Sequence, residues 1–185
     1  MSGRYEIRFS GSGGQGLILA GVIFAEAAAI YDGINAVQSQ SYGPEARGGA
    51  SKSEVILSDD TIDFPKATSI DLMLALTQEA CSKYAKDLKE GGTLMVDEDF
   101  VRDVPGGNFT VIRLPIIRTA SEGIGKAFVA NIVAIGAIAA ITGRVSREAV
   151  EKAVLSRVPK GTEELTKRAL KAGYELAKAK AKAKA

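Results

Sequence analysis

Apolar and polar residues alternate along Tyr5-Glu6-Ile7-Arg8-Phe9, and a glycine-rich segment then leads into an apolar stretch from Leu17 to Ala29. Alternation with period two predicts a strand, and the longer apolar stretch predicts a helix. A strand, a tight glycine turn and a helix open a βαβ unit. The predicted helix is apolar on nearly every side as far as Glu26, so it should be covered on more than one face. Gly33 follows as a C-terminal cap.

Alternation returns over Ile34–Gln40 and again over Ser51–Leu57, which predicts two more strands. The segment between them, Tyr42-Gly43-Pro44-Glu45-Ala46-Arg47-Gly48-Gly49, is marked as a loop by its glycines and Pro44. Asp71 to Leu76 is a nearly continuous apolar run, as in a central strand buried on both faces. A polar helix is expected over Gln78–Lys89, closed by Gly91-Gly92. Thr93–Val96 reads as a strand, Asp97-Glu98-Asp99 as an exposed acidic turn, and Phe109–Leu114 as the last strand. The chain then becomes mainly helical, with breaks near Gly143, Pro159 and Gly161. Ser146 should cap the helix that begins at Arg147.

Strands alternating with helices imply a mainly parallel sheet flanked by helices. The expected fold is therefore α/β and Rossmann-like, with a helical C-terminal part. The strand Ser51–Leu57 follows Ile34–Gln40 too closely for a parallel crossover, which needs a dozen or more residues. An antiparallel element is expected there. Residues 1–176 are read as one domain. Residues 177–185 alternate Ala and Lys without an apolar stripe, and are expected to form a disordered tail.

Composition narrows the chemistry. The chain of 185 residues has no histidine, no tryptophan and a single cysteine, Cys81. No Ser-His-Asp or Cys-His arrangement can form within it. A His-based zinc site and a thiolate-held iron–sulfur cluster are excluded too. The formal net charge of +2 is too balanced to argue for nucleic acid. The apolar runs Leu17–Ala25 and Val129–Ile141 fall short of the roughly 20 residues of a membrane span. The glycine-rich polar segment before Leu17 does not suit a signal peptide. Both runs read as buried helices of a soluble, cytoplasmic protein.

Gly11-x-Gly13-x-x-Gly16 has the spacing of a dinucleotide fingerprint, and glycines before a helix let backbone N–H groups approach an anion. The acidic residue that would hold a ribose is missing, because the end of the second strand reads Gln38-Ser39-Gln40-Ser41. Dinucleotide binding, a phosphate or backbone contact and a purely structural turn all remain open for this loop. Arg47 lies in a loop past a strand's carboxyl end, where open α/β sheets bind ligands, and an arginine can grip a phosphate or carboxylate with two bonds. Asn131 is the one polar residue of its apolar run and reads as a satisfied amide or a helix-end partner. Nearby Ala134, Gly136, Ala137, Ala139 and Ala140 permit close helix packing, within the chain or against another. Cys81 reads as structural.

Phe9-Ser10-Gly11-Ser12-Gly13-Gly14-Gln15-Gly16 before an apolar helix resembles the opening of the gamma subunits of 2-oxoacid:ferredoxin oxidoreductases. Gln40-Ser41-Tyr42-Gly43-Pro44-Glu45-Ala46-Arg47-Gly48-Gly49 is similar to their second motif, and Asn131-Ile132-Val133-Ala134-Ile135-Gly136-Ala137 to a third. The resemblance runs from about residue 4 to about residue 175.

It implies an enzyme that decarboxylates a 2-oxoacid on thiamine diphosphate, passes the acyl group to coenzyme A and sends electrons through iron–sulfur clusters to ferredoxin. Thiamine diphosphate, Mg2+ and the 4Fe-4S clusters would belong to partner subunits, alpha and beta with delta as a further candidate. This chain would contribute no catalytic residue and no metal ligand. Ser12, Gly13, Gly14, Gln15, Gly16, Tyr42 and Arg47 would face the coenzyme A path or a subunit junction. The first expectation for the substrate is 2-oxoglutarate, with an indolepyruvate enzyme's small subunit as competitor. The length favours a separate subunit over a fused form. The isolated chain is expected to be inactive and to form a homodimer. A stand-alone nucleotide-binding protein is the contrasting expectation.

Overall fold

The structure is a computed structural model that describes residues 3–41 and 49–184. Its centre is a six-stranded sheet in the order β2-β3-β1-β4-β5-β6. The strands are β1 (Tyr5–Ser12), β2 (Asn35–Ser41), β3 (Ala50–Ser58), β4 (Ile70–Ala75), β5 (Leu88–Asp97) and β6 (Thr110–Leu114). β1, β4, β5 and β6 pair in parallel, and β3 runs antiparallel to both β1 and β2. The mainly parallel sheet and its antiparallel element are as the spacing of the strands required. β4 is buried along its whole length, which accounts for its apolar character, and its one charged residue, Asp71, accepts from Glu6 N–H at 2.8 Å.

The two faces are covered unequally. Four helices, α1 (Leu17–Glu26), α4 (Ala130–Thr142), α5 (Arg147–Arg157) and α6 (Glu163–Lys184), build the larger core with Ile7, Phe9, Leu72 and Leu74. α1 continues as a wider π turn over Ala27–Tyr31. On the second face the short α2 (Gln78–Tyr84) packs over Met73, Leu94 and Val96 together with Ala67, Ala85 and Val101. A single turn, α3 (Ile116–Arg118), leads from β6 toward α4. Ser146 caps α5 as expected, its Oγ accepting from Ala149 N–H at 3.1 Å.

α4 and α6 touch through their backbones. A Cβ on Gly173 would fall on the carbonyl oxygen of Val133, and one on Gly136 on that of Leu170. The small-residue run in α4 therefore serves packing inside this chain.

Three expectations change. The helix from Gln78 stops near Tyr84 because the buried Arg8 takes the Tyr84 carbonyl and, at 2.7 Å, the Asp87 carboxylate. Leu88–Gly92 then joins β5 through an irregularity in its pairing with β4. Asp97, expected in an exposed turn, is fully buried. Its Oδ1 accepts from the N–H groups of Asp99 and Phe100, and its Oδ2 accepts from Ile117 N–H at 2.8 Å. The stretch 177–184, expected as a disordered tail, continues α6 as helix. Alanine and lysine are strong helix formers, and the buried Ala177 ties the start of that stretch to the body.

Candidate functional site

The carboxyl edge of the sheet gathers the first and third sequence motifs and the two ends of the second. β1 delivers the chain to the glycine loop at Ser12, which pairs with Ala50, the first residue of β3. Ser41, the last residue of β2, pairs with Lys52. Both ends of the β2–β3 connection thus emerge beside the glycine loop. Tyr42 and Arg47, expected in the site, lie outside the described residues.

The loop is shaped from within. The Gln15 side chain folds back so that its Oε1 accepts from Ser12 N–H at 2.8 Å. Gly11 leaves the room for this, since a Cβ there would strike Gln15 Oε1. Gly16 has φ 72°, a left-handed conformation that side chains resist. A Cβ on Gly16 would also lie 2.5 Å from Asn131 Nδ2. That nitrogen donates to the Gly16 carbonyl at 3.2 Å, so the helix-end role expected of Asn131 is the one observed. Ser12 and Gln15 are half-buried, whereas Gly13 and Gly14 are exposed. Nothing lies within 4 Å of a Cβ on Gly13, so packing within the chain does not require a glycine there.

Two helix amino ends meet at this loop. α1 starts directly after it, and α4 starts one residue before Asn131. Neither has a side-chain cap or an acidic residue in its first turn. The free first-turn N–H groups of α1 suit an anion, whereas at α4 the Ala130 N–H is taken by the Ala127 carbonyl and the Ile132 N–H by Asn131 Oδ1.

On the second face, a buried polar group fastens β3 just past the connection. Tyr84 Oη donates to the Ala50 carbonyl at 3.1 Å. The Arg8 guanidinium lies 5.5 Å from the centre of the Tyr84 ring and 3.3 Å from Glu54. Lys52 pairs with Glu54 at 2.6 Å. Alternation along β1 and β3 had given Arg8 and Glu54 no special place, and their cross-strand pairing appears only in the register. Burial raises the Tyr84 phenol pKa, partly opposed by Arg8. Burial also raises the Cys81 thiol pKa, with Arg113 pulling it down. A buried thiol held protonated has the character of a structural cysteine.

Asp97 stiffens the same edge further along the sheet. Burial raises its pKa, while the N–H groups of Ile117, Asp99 and Phe100 draw it down. Large apolar side chains stand exposed around the edge, Leu19 on the first turn of α1 and Phe128 just before α4, the latter at 69% exposure. The sequence pattern did not single them out. Among the described residues, no group of three or more His, Cys, Asp or Glu side chains is placed to hold a metal ion. Among them too, no helix is long and apolar enough to cross a membrane.

The family model described as pyruvate ferredoxin/flavodoxin oxidoreductase matches residues 6–176. The chain belongs to this family. It is similar to the 2-oxoglutarate synthase subunit KorC of Methanocaldococcus jannaschii, with 56% identity over 177 residues, 95% of each chain. It is similar also to the pyruvate synthase subunit PorC of Thermotoga maritima, with 30% identity over 181 residues, 92% of this chain and 93% of that one. Among solved structures, the gamma subunit of a keto/oxoacid ferredoxin oxidoreductase from Geobacter sulfurreducens superimposes with a TM-score of 0.90. The two are 62% identical, and the match covers 97% of this chain and 99% of that one. The gamma-subunit resemblance carried by the three motifs is therefore borne out over 97% of the chain.

Proposed function

We propose that the chain is the gamma subunit of a cytoplasmic 2-oxoglutarate:ferredoxin oxidoreductase, and that its carboxyl edge lines the coenzyme A path or the junction beside it. The observation that carries the site is the uncapped amino end of α1, tied to the start of α4 by the Asn131–Gly16 bond under the exposed Gly13-Gly14 backbone. Such an edge suits the phosphates of coenzyme A. Arg47, in the connection whose ends flank the loop, supplies a charge for the same ligand. Ser12, Gln15 and Gly16 shape the loop, while Gly13, Gly14 and Tyr42 face the ligand or the neighbouring subunit.

The gamma-subunit reading assigns thiamine diphosphate, Mg2+ and the 4Fe-4S clusters to alpha and beta partners, with a delta subunit where present, and a chain with a single cysteine agrees with this for the clusters. The substrate reading rests on the higher identity to a 2-oxoglutarate synthase subunit than to a pyruvate synthase subunit, 56% against 30%. Leu19 and Phe128, beside the loop, offer apolar surface for a partner to cover. In its absence the same surface drives the isolated chain to a homodimer.

Purification of the tagged chain from its native cells grown without oxygen tests this reading. Thiamine-bearing and iron–sulfur chains should accompany it, with viologen reduction that depends on 2-oxoglutarate and coenzyme A. Activity on a different 2-oxoacid would overturn the substrate. Recovery of the chain alone, without activity, would overturn the subunit role.

A further inference from the structure

Among the described residues β6 is the last strand of the sheet, with β5 as its only neighbour. Leu114 turns its carbonyl toward the end of β5, where Glu98 N–H donates to it at 3.0 Å. Backbone groups of successive strand residues point to opposite sides. Val111 and Arg113 therefore direct their N–H and C=O groups outward, as a row ready for another strand. Beside this edge runs a groove of about 300 Å³ between β6, the end of α4 and residues 177–181 of α6. Ile112, Ile141, Ala177 and Ala181 give it an apolar lining, and Lys178 and Lys180 border it.

We infer that this strip docks an extended segment of another subunit of the oxidoreductase, one that carries apolar side chains at alternate positions and carboxylates at its flanks. The inference rests on the gamma-subunit reading. Added beside β6, such a segment continues the sheet and points every second side chain into the groove. The charge of the border selects its chemistry. From residue 176 onward the chain has four lysines and no acidic residue, so the groove offers cations and no anion from α6. A second copy of this chain, paired β6 to β6 about a two-fold axis, would bring two such lysine rows together. Like charges facing each other oppose that arrangement and favour an acidic partner.

Zero-length carbodiimide cross-linking of the assembled complex, purified through this chain and read by mass spectrometry, tests the inference. Lys178 and Lys180 should join to Asp or Glu within an alternating apolar segment of another subunit. V111P removes an outward N–H that the chain's own ladder does not use. It should leave the fold intact and weaken retention of that subunit by about tenfold or more. K178E together with K180E should do the same without touching the backbone, and it decides the matter if V111P fails to fold. An intact complex whose lysines cross-link only within this chain or to a second copy, or whose subunit content survives the charge reversal, would overturn the docking strip and leave the subunit role standing. A chain purified without partners would remove both.

Discussion

Asn131, near the start of α4, donates its side-chain amide to the carbonyl of Gly16, 115 positions earlier, at 3.2 Å. This bond joins the first sequence motif to the third and ties the glycine loop to the helical part of the fold. A Cβ on Gly16 would both resist the left-handed backbone and push on the Asn131 amide. G16A should therefore cost about 2–3 kcal/mol of stability in urea unfolding. N131A should cost about 1–2 kcal/mol through the lost bond. G13A, in open space, should stay within about 0.5 kcal/mol of the parent.

Where α4 crosses α6, the atoms facing Gly173 are backbone and cannot swing aside. A Cβ there would meet the Val133 carbonyl and the Ala137 nitrogen. G173A should force the helices apart and cost at least about 2 kcal/mol. Calorimetry should show the fall in Tm, and retention of the parent Tm would contradict the backbone contact.

Tyr174 is buried with a hydroxyl that has no hydrogen-bond partner among the described residues, while the Arg147 guanidinium lies 4.7 Å from the centre of its ring. Burial raises its pKa from 10.0 to about 12, against the pull of Arg147. The unfolded chain thus loses this proton near pH 10, and the folded chain holds it until about 12. The stability due to the neutral phenol is present below pH 10.0 and is lost as the pH rises toward 12. The slope from this group is at most about 1.4 kcal/mol per pH unit. Y174F should equal or exceed the parent in stability at pH 7 and fall less steeply over the alkaline range, as denaturant titrations at a series of pH values would show.

Arg8 is 3% exposed and lies between Glu54 and Asp87. R8M should remove the contact that ends α2 and leave Glu54 with Lys52 alone. Loss of one partner from a buried ion pair costs about 3–5 kcal/mol. Asp87 is itself partly exposed, so the lower end of that range is expected in urea unfolding, and a loss below 1 kcal/mol would contradict a structural role for the pair.

Much of the fold was legible because its signals are local. Alternation marked β1, β2 and β3, the short gap between β2 and β3 required antiparallel pairing, and the nearly continuous apolar run of β4 marked a strand buried on both faces. The misses arose where a distant side chain decided a local outcome. The polar helix was drawn too long because Arg8 ends it from β1, and Asp97 looked like turn chemistry although Ile117, 20 positions away, buries and bonds it. The Lys/Ala tail lacked an apolar stripe, yet Ala177 seats its first turn. At the site, the glycine loop and Asn131 were visible as candidates, but nothing local said that they touch. The exposed Leu19 and Phe128 had no pattern to set them apart from core residues, because exposure of single apolar residues follows from packing.

Steady-state kinetics of the assembled enzyme with G13A and R47A test the central claim most directly. Each variant should raise the KM for coenzyme A by about tenfold or more, or deplete the complex of a partner subunit, while the isolated chain keeps its stability. An unchanged KM for coenzyme A in a complex of full subunit content, for both variants, would contradict the placement of this edge at the coenzyme A path or the subunit junction.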